Sequence, residues 1–383
     1  MSEQLTLRGR VITASGVRAD AVVTVRGERI VAVRDFTEWT APPGDSPPEF
    51  AGTVLPGLVD IHNHGGLGHR FDTTDAAEAQ AAAEFHHGQG STSVIAGIVT
   101  TAPAEMLRQT ATLRELAARG TIAGIHAEGP FLSEGRCGAH DPAYLRDPDP
   151  ALIEQLLKAA GGHLRVMTLA PERPGFDSAA ALLAEHGVVV AAGHTDAGFA
   201  DFRAALAPAG HATLVTHLAN GMPPLHHRSP GPVAAALLAA AQQHAFVELI
   251  GDGVHVDPGF AALVFTTAPG RVALVTDAMQ AAGMPDGHYR LGPREVVVTN
   301  GVARVHSGSI AGGTATLLHC LRWAVRECAV PLPDAIAAAT TIPAAALRLP
   351  DIGDLRPGMY ADAIVLDDDL NLRRVLRRGR WLP

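Results

Sequence analysis

Between residues 56 and 350 the chain repeats one pattern: a short unbroken apolar run, then a longer Ala- and Leu-rich stretch such as 76–87 or 102–118. The runs cover 58–61, 94–99, 122–126, 164–169, 188–192, 214–217, 246–251 and 272–276. Apolar runs without polar alternation suit parallel strands buried on both faces. Eight of them, with helices between, predict a (β/α)8 TIM barrel, an α/β fold whose functional residues gather at the carboxyl ends of the strands.

The flanks follow another rhythm. Residues 5–12, 21–26 and 29–33 are short, β-branched and separated by glycine and polar turn residues, as in a meander. A segment at 41–48 holds four prolines, and Pro56-Gly57 follows a short strand at 53–55, which places a domain junction near residue 55. Residues 361–366 and 372–376 return to strand patterning and are placed to complete the sheet begun by the N-terminus. Within the barrel region, 289–305 reads as a hairpin insertion turning at Thr299-Asn300-Gly301, where Asn-Gly suits a type I′ turn.

Bulk properties remove several function classes. A net charge of -9 argues against a dedicated nucleic-acid surface. No apolar run reaches membrane-spanning length, and residues 1–10 show no charged segment leading into an apolar core, so no membrane association is expected. The three cysteines, Cys137, Cys320 and Cys328, form no CxxC pair and favour a reducing compartment, with the cytoplasm as default. Lys158 is the only lysine, and it lies in an amphipathic helical stretch at 152–160 that turns it towards solvent. That leaves no well-placed lysine for a Schiff base or for a carbamylated bridge between metals.

Chemistry-bearing residues recur where the strand runs end. His62 and His64 stand one residue apart, so on a regular strand both point to one face and can share an ion. Glu128 follows the run at 122–126 and precedes Gly129-Pro130, while His194 and His217 each close a run. Glu128, His194 and His217 make a His2Glu set with a position open for water. Asp277 ends the run at 272–276, where a charged side chain is costly unless it binds a metal or moves a proton. A metal lowers the pKa of a water it holds, and a neighbouring carboxylate can accept the proton and deliver it to a leaving amine, which suits amide hydrolysis. Cys137 beside His140 reads as a small loop residue, and the pairs His86-His87 and His226-His227 take no ligand role.

At these residues the chain resembles the amidohydrolase superfamily and, within it, the N-acetylglucosamine-6-phosphate deacetylases. The resemblance spans nearly the whole chain, through Pro56 to Asp60, His126 to Phe131, Gly193-His194-Thr195, Thr216 to Pro224, Gly251 to His255, Val275 to Ala278 and the returning strand at 361–366. It implies a barrel at 56–350 and a small β-sandwich domain built from both termini, 1–55 and 351–383. It implies Glu128, His194 and His217 as ligands of a divalent metal, Asp277 as acid/base, and His140 as the group polarising an acetyl carbonyl.

It further implies that Ala139, His140, Asn220, Gly221, Arg228, His255, Ile310, Ala311 and Gly312 form the substrate site. Arg228 would come across the interface of a homodimer to the phosphate of an N-acetylated amino sugar. His62 and His64 would hold a second metal; zinc is favoured, with iron, manganese or cobalt as alternatives. Gly221 stands where the group usually has alanine, which implies a looser loop there. Three other readings remain: a deacetylase of galactosamine-type sugar phosphates, a different amidohydrolase, and a noncatalytic barrel that only binds.

Overall fold

The computed structural model describes residues 4–41 and 46–383; Pro42 and Pro43 of the proline-rich segment lie outside the described residues. Eight parallel strands, each adjacent to the next in chain order, form the central sheet. They are β1 (Val59–Asn63), β2 (Ser93–Val99), β3 (Gly124–Glu128), β4 (Leu164–Leu169), β5 (Val189–Ala192), β6 (Ala212–Val215), β7 (Phe246–Ile250) and β8 (Val272–Val275). Nearly every residue on them is buried, which is why they read as apolar runs.

Alternation sorts the strand side chains. Met167, Leu169, Val190, Ala192, Val247 and Leu249 face the helices. Val59, Ile61, Ile95, Val166, Val189, Ala191, Leu214, Ala273 and Val275 point inward and meet Ala344, Ala346 and Leu347, which fill the amino-terminal end of the barrel. Above this apolar layer the interior turns polar. His126 Nε2 lies 2.8 Å from Thr168 Oγ1, which is 2.8 Å from Thr216 Oγ1, so one hydrogen-bonded chain runs beneath the barrel mouth.

The seam between β8 and β1 closes just past the strand ends. Asp277 donates its N–H to the His62 carbonyl at 2.9 Å, and His64 donates to the Ala278 carbonyl at 2.7 Å. Thr276 Oγ1 donates to Asp60 at 2.6 Å, and Asn63 Nδ2 donates to the same carboxylate at 2.9 Å. These buried bonds fix the segments carrying His62, His64 and Asp277 against each other. Val59 and Ile61 point inward, and so do His62 and His64. The irregular register between Asp60 and Asn63 accommodates that change of phase.

Several helices start at Asp-Pro. Asp149 and Asp257 each accept an N–H two residues on, from Ala151 and Gly259, and Pro150 and Pro258 open the helices Pro150–Ala160 and Pro258–Thr267. Each such cap contributes about 1 kcal/mol. Lys158 is exposed on the first of these helices, as its spacing predicts.

The terminal strands build one seven-stranded sheet, ordered Arg380–Trp381, Leu372–Arg377, Ala363–Leu366, Phe50–Pro56, Gln4–Thr13, Gly16–Arg26 and Arg29–Asp35. The sheet folds back on itself, because Ile30 N–H reaches the Met359 carbonyl and Ala361 N–H the Glu28 carbonyl. Val11, Val23, Val25, Val54, Ala363 and Val365 fill the space enclosed. The insertion differs from the expected two-stranded hairpin. Gly287–Leu291, Arg294–Thr299 and Val302–Val305 form a three-stranded antiparallel sheet, because a second tight turn at Gly292-Pro293 adds a strand ahead of the Asn300-Gly301 turn. Asn300 and Gly301 have φ of 51° and 73°, the signs that a type I′ turn demands.

Candidate active site

His194, His217 and Asp277 each lie two residues beyond the ends of β5, β6 and β8, with φ of 47°, 24° and 46°. Left-handed backbone at three non-glycine residues costs energy, and here it turns the chain so that each side chain enters the barrel mouth. Glu128 is the last residue of β3, and His62 lies near the end of β1. These side chains converge into one buried cluster.

Glu128 stands at its centre. One carboxylate oxygen, Oε1, is 3.1 Å from His194 Nε2, 3.0 Å from His217 Nε2 and 3.6 Å from His62 Nε2. The other, Oε2, is 3.2 Å from His64 Nε2 and 3.3 Å from His140 Nε2. Asp277 Oδ1 lies 3.5 Å from His62 and 3.3 Å from His64. Burial alone would raise the Asp277 carboxyl, but the facing His62 and His64 hold it well below the usual carboxylate range. Burial pulls His140 down, below the ordinary imidazole value, despite Glu128 beside it.

The nitrogens around Glu128 fit a cation better than they fit one another. His194 Nδ1 donates to the Arg136 carbonyl at 2.7 Å, so a neutral His194 turns a lone pair from Nε2 towards Glu128. His62 Nδ1 donates to Glu248 Oε2 at 2.8 Å and directs its Nε2 lone pair in the same way. His217 Nε2 is 3.1 Å from His194 Nε2, and His62 Nε2 is 3.1 Å from His64 Nε2. Lone pairs so close to each other and to a carboxylate repel unless a positive charge sits between them. Ligand atoms at about 2.1 Å from one tetrahedral ion stand about 3.4 Å apart, close to these spacings. Three overlapping groups can hold a metal: His62, Glu128 and His217; His62, His64 and Asp277; and Glu128, His140 and His194.

A cavity of about 330 Å³ opens above the cluster, lined by His64, Glu128, His140, His194, His217 and Asp277 below and by loop residues around its rim. The rim includes Ala139, Asn220, Gly221, His255, Ile310 and Gly312. Ala311 departs from the expected lining: its side chain faces the apolar core under the insertion, with Met279, Val296 and Val305. Arg228 departs too. It is exposed, its guanidinium 2.7 Å from His227 Nε2, and it does not line its own chain's cavity.

Gly221 also corrects an expectation. At φ 61° a Cβ there would stand 2.9 Å from His194 Nδ1, so in this chain the glycine lets the loop close onto the histidine rather than loosening it.

Some contributing residues are given no role by the sequence. Glu248 and Asp252 sit on and after β7 as single acids; Asp252 Oδ2 accepts from His255 Nδ1 at 2.7 Å. Burial would lower His255, but Asp252 holds it above the ordinary imidazole value. Arg136 and Ser309 line the rim from loops, and Leu291 from the insertion.

With this geometry, comparison with known proteins is direct. The Amidohydrolase family model matches residues 53–382. The chain belongs to the amidohydrolase family. An N-acetylglucosamine-6-phosphate deacetylase of Vibrio furnissii is 35% identical over 97% of this chain and 93% of its own length. An N-acetylgalactosamine-6-phosphate deacetylase of Escherichia coli O157:H7 is 36% identical over 85% of this chain and 87% of its own. Among solved structures, a variant N-acetyl-D-glucosamine-6-phosphate deacetylase of Mycobacterium smegmatis, in complex with N-acetyl-D-glucosamine-6-phosphate, superimposes with a TM-score of 0.93. It shares 42% identity, and the match covers 99% of each chain. The amidohydrolase barrel and its divalent-metal chemistry thus apply here, and the buried His/Glu/Asp groups are able to bind such an ion.

Proposed function

We infer that this chain hydrolyses the acetamide of N-acetyl-D-glucosamine 6-phosphate, yielding D-glucosamine 6-phosphate and acetate. One observation carries the reading: a buried His/Glu/Asp cluster and a rim bearing the Asp252-held His255 share one cavity in a chain 42% identical to the deacetylase of Mycobacterium smegmatis. This is an amide hydrolase at work in amino-sugar recycling.

Glu128, His194 and His217 would hold the divalent cation, which supplies Lewis acidity and acidifies a water molecule at neutral pH. Asp277 faces the same space; its carboxylate takes a proton from the attacking water and returns it to the departing nitrogen. His140 Nδ1 accepts the Thr100 N–H at 3.3 Å, which leaves Nε2–H as a donor. That donor meets the acetyl oxygen as negative charge builds on it. Leu291, Ile310 and Gly312 cover the sugar and exclude water.

The phosphate end lies at the rim. The backbone N–H of Gly221, with His255 kept cationic by Asp252, suits an oxyanion, while the Asn220 N–H bonds the His217 carbonyl at 2.9 Å and holds the loop. Arg228 projects from an exposed loop away from its own cavity, which favours its entry into the cavity of a second copy in a homodimer. The exposed Leu225 on that loop and Leu238 on the following helix offer apolar surface for such contact.

Imidazole and carboxylate donors favour zinc and also accept iron, manganese or cobalt. His62, His64 and Asp277 would take a second ion. Three free cysteines suit a cytoplasmic setting, and among the described residues no helix is long and apolar enough to cross a membrane. The relative from Escherichia coli O157:H7 favours one second reading, the galactosamine epimer. Acetate release by metal-loaded protein tests both: the glucosamine substrate should turn over faster, and no release from either sugar phosphate refutes the function.

A further inference from the structure

Glu248 is the one carboxylate of the barrel interior that the reaction above leaves without a task. It projects inward from β7, its side chain fully buried, on the polar layer just under the cluster. A single oxygen, Oε2, accepts two donors: His62 Nδ1–H at 2.8 Å and the backbone N–H of His217 at 3.0 Å. Its backbone carbonyl accepts the N–H of Leu218 at 2.8 Å, so side chain and main chain together grip the turn after β6. Oε1 finds no partner among the described residues. A carboxylate buried at that cost needs a compensating role.

His62 and His217 share one candidate ligand group with Glu128, and each also faces a further set. His62 also joins His64 and Asp277, whereas His217 lies 3.0 Å from Glu128 and 3.1 Å from His194, and the two imidazoles are stacked with centroids 5.3 Å apart. We infer that Glu248 is a positioning residue that couples the two cation groups: one oxygen fixes His62 as an Nε2 ligand of the second ion and holds the left-handed turn that aims His217 at the first. This rests on reading those histidines as cation ligands. The hydrogen bond to Nδ1 leaves the Nε2 lone pair free to face the cation. The bond to His217 N–H braces a residue whose φ of 24° it would not adopt unaided.

Both bonds use one oxygen, so glutamine should replace glutamate with little loss, while leucine, which has no acceptor, should not. The test is titration with zinc against a competing chelator, without substrate. Glu248→Leu should weaken zinc binding by about 10–100-fold at both groups, and Glu248→Gln should restore most of it. Unchanged affinity in Glu248→Leu, or equal weakening in both variants at equal thermal stability, would overturn the role.

Should the leucine variant fail to fold, histidine nitrogen NMR of the zinc-loaded natural chain decides instead. The role requires the proton on His62 Nδ1 and zinc on Nε2; the reverse arrangement contradicts it. Acetate release by the natural chain tests the activity separately, so failure of one reading does not imply failure of the other.

Discussion

The floor and the rim of the cavity are built by different means. The floor hangs from strand ends: Glu128 on β3, His62 on β1, and His194, His217 and Asp277 two residues beyond their strands. Backbone ladders and the seam bonds at Asp60, Asn63 and Thr276 fix these positions, and Glu128 reaches both halves of the cluster. The rim comes from loops and from the three-stranded insertion, with Gly221 packed onto His194 and His255 held by Asp252. Strand ends carry the metal-binding and proton-transfer groups, whose tolerance is small, while His140 reaches the floor from the loop between 136 and 142. Loops carry recognition, where the substrate's far end is met.

This division predicts separable defects. The largest effect belongs to the floor. Asp277→Asn should keep the ion assigned to Glu128, His194 and His217, measured by elemental analysis, while kcat falls by about 10²–10⁴-fold. Unchanged turnover would remove Asp277 from proton transfer.

Rim changes should act on KM and only for phosphorylated sugars. His255→Ala should raise KM by about 10–100-fold, the loss of a hydrogen bond to a charged group worth about 1.5–3 kcal/mol. Arg228→Ala should behave alike, and activity should be restored in mixed dimers that pair Arg228→Ala with a floor-defective chain. An equal loss with unphosphorylated substrate would blur the boundary between the two regions.

A pH profile sharpens the rim further. His255 is raised and Asp252 lowered by their contact, burial opposing both. A raised histidine keeps its stabilising charge below its unfolded pKa and loses it as pH rises through the folded value. A lowered aspartate keeps its contribution above its unfolded pKa and loses it as pH falls through the folded value. Phosphate affinity should therefore hold across the neutral window and weaken on the alkaline side as His255 deprotonates. In His255→Ala that alkaline limb in KM should disappear.

The smallest effect is expected at Lys158, exposed on the helix Pro150–Ala160. Lys158→Met should retain natural activity and metal content, since no bridging lysine is used. Loss of metal would reopen a different amidohydrolase chemistry.

The same contrast explains what could be read from the sequence. Each barrel strand is buried on both faces, so it stands out as an apolar run, and an ionisable residue at the end of such a run is conspicuous; Glu128, His194, His217 and Asp277 were legible for that reason. His62 and His64 were visible as a pair, but the phase change after Ile61 that turns them inward was not. Glu248 was hidden because one acid among apolar neighbours does not reveal which barrel-crossing partner it meets. Rim residues depend on loop paths. Ala311 was expected in the cavity with its neighbours, yet alternation about the Ala303–Ala311 backbone bond turns it into the apolar core. Arg136 offers the site a backbone carbonyl, a group every residue has.

The central claim, that floor chemistry and phosphate-reading rim act together in one cavity, is tested most directly by acetate release from a substrate panel. Metal-loaded protein would be offered N-acetylglucosamine, N-acetylgalactosamine and N-acetylmannosamine, each with and without the 6-phosphate. The account predicts fastest turnover of N-acetylglucosamine 6-phosphate and a large drop in kcat/KM for every unphosphorylated sugar. Equal rates with and without phosphate, or no acetate from any phosphorylated sugar, would contradict it.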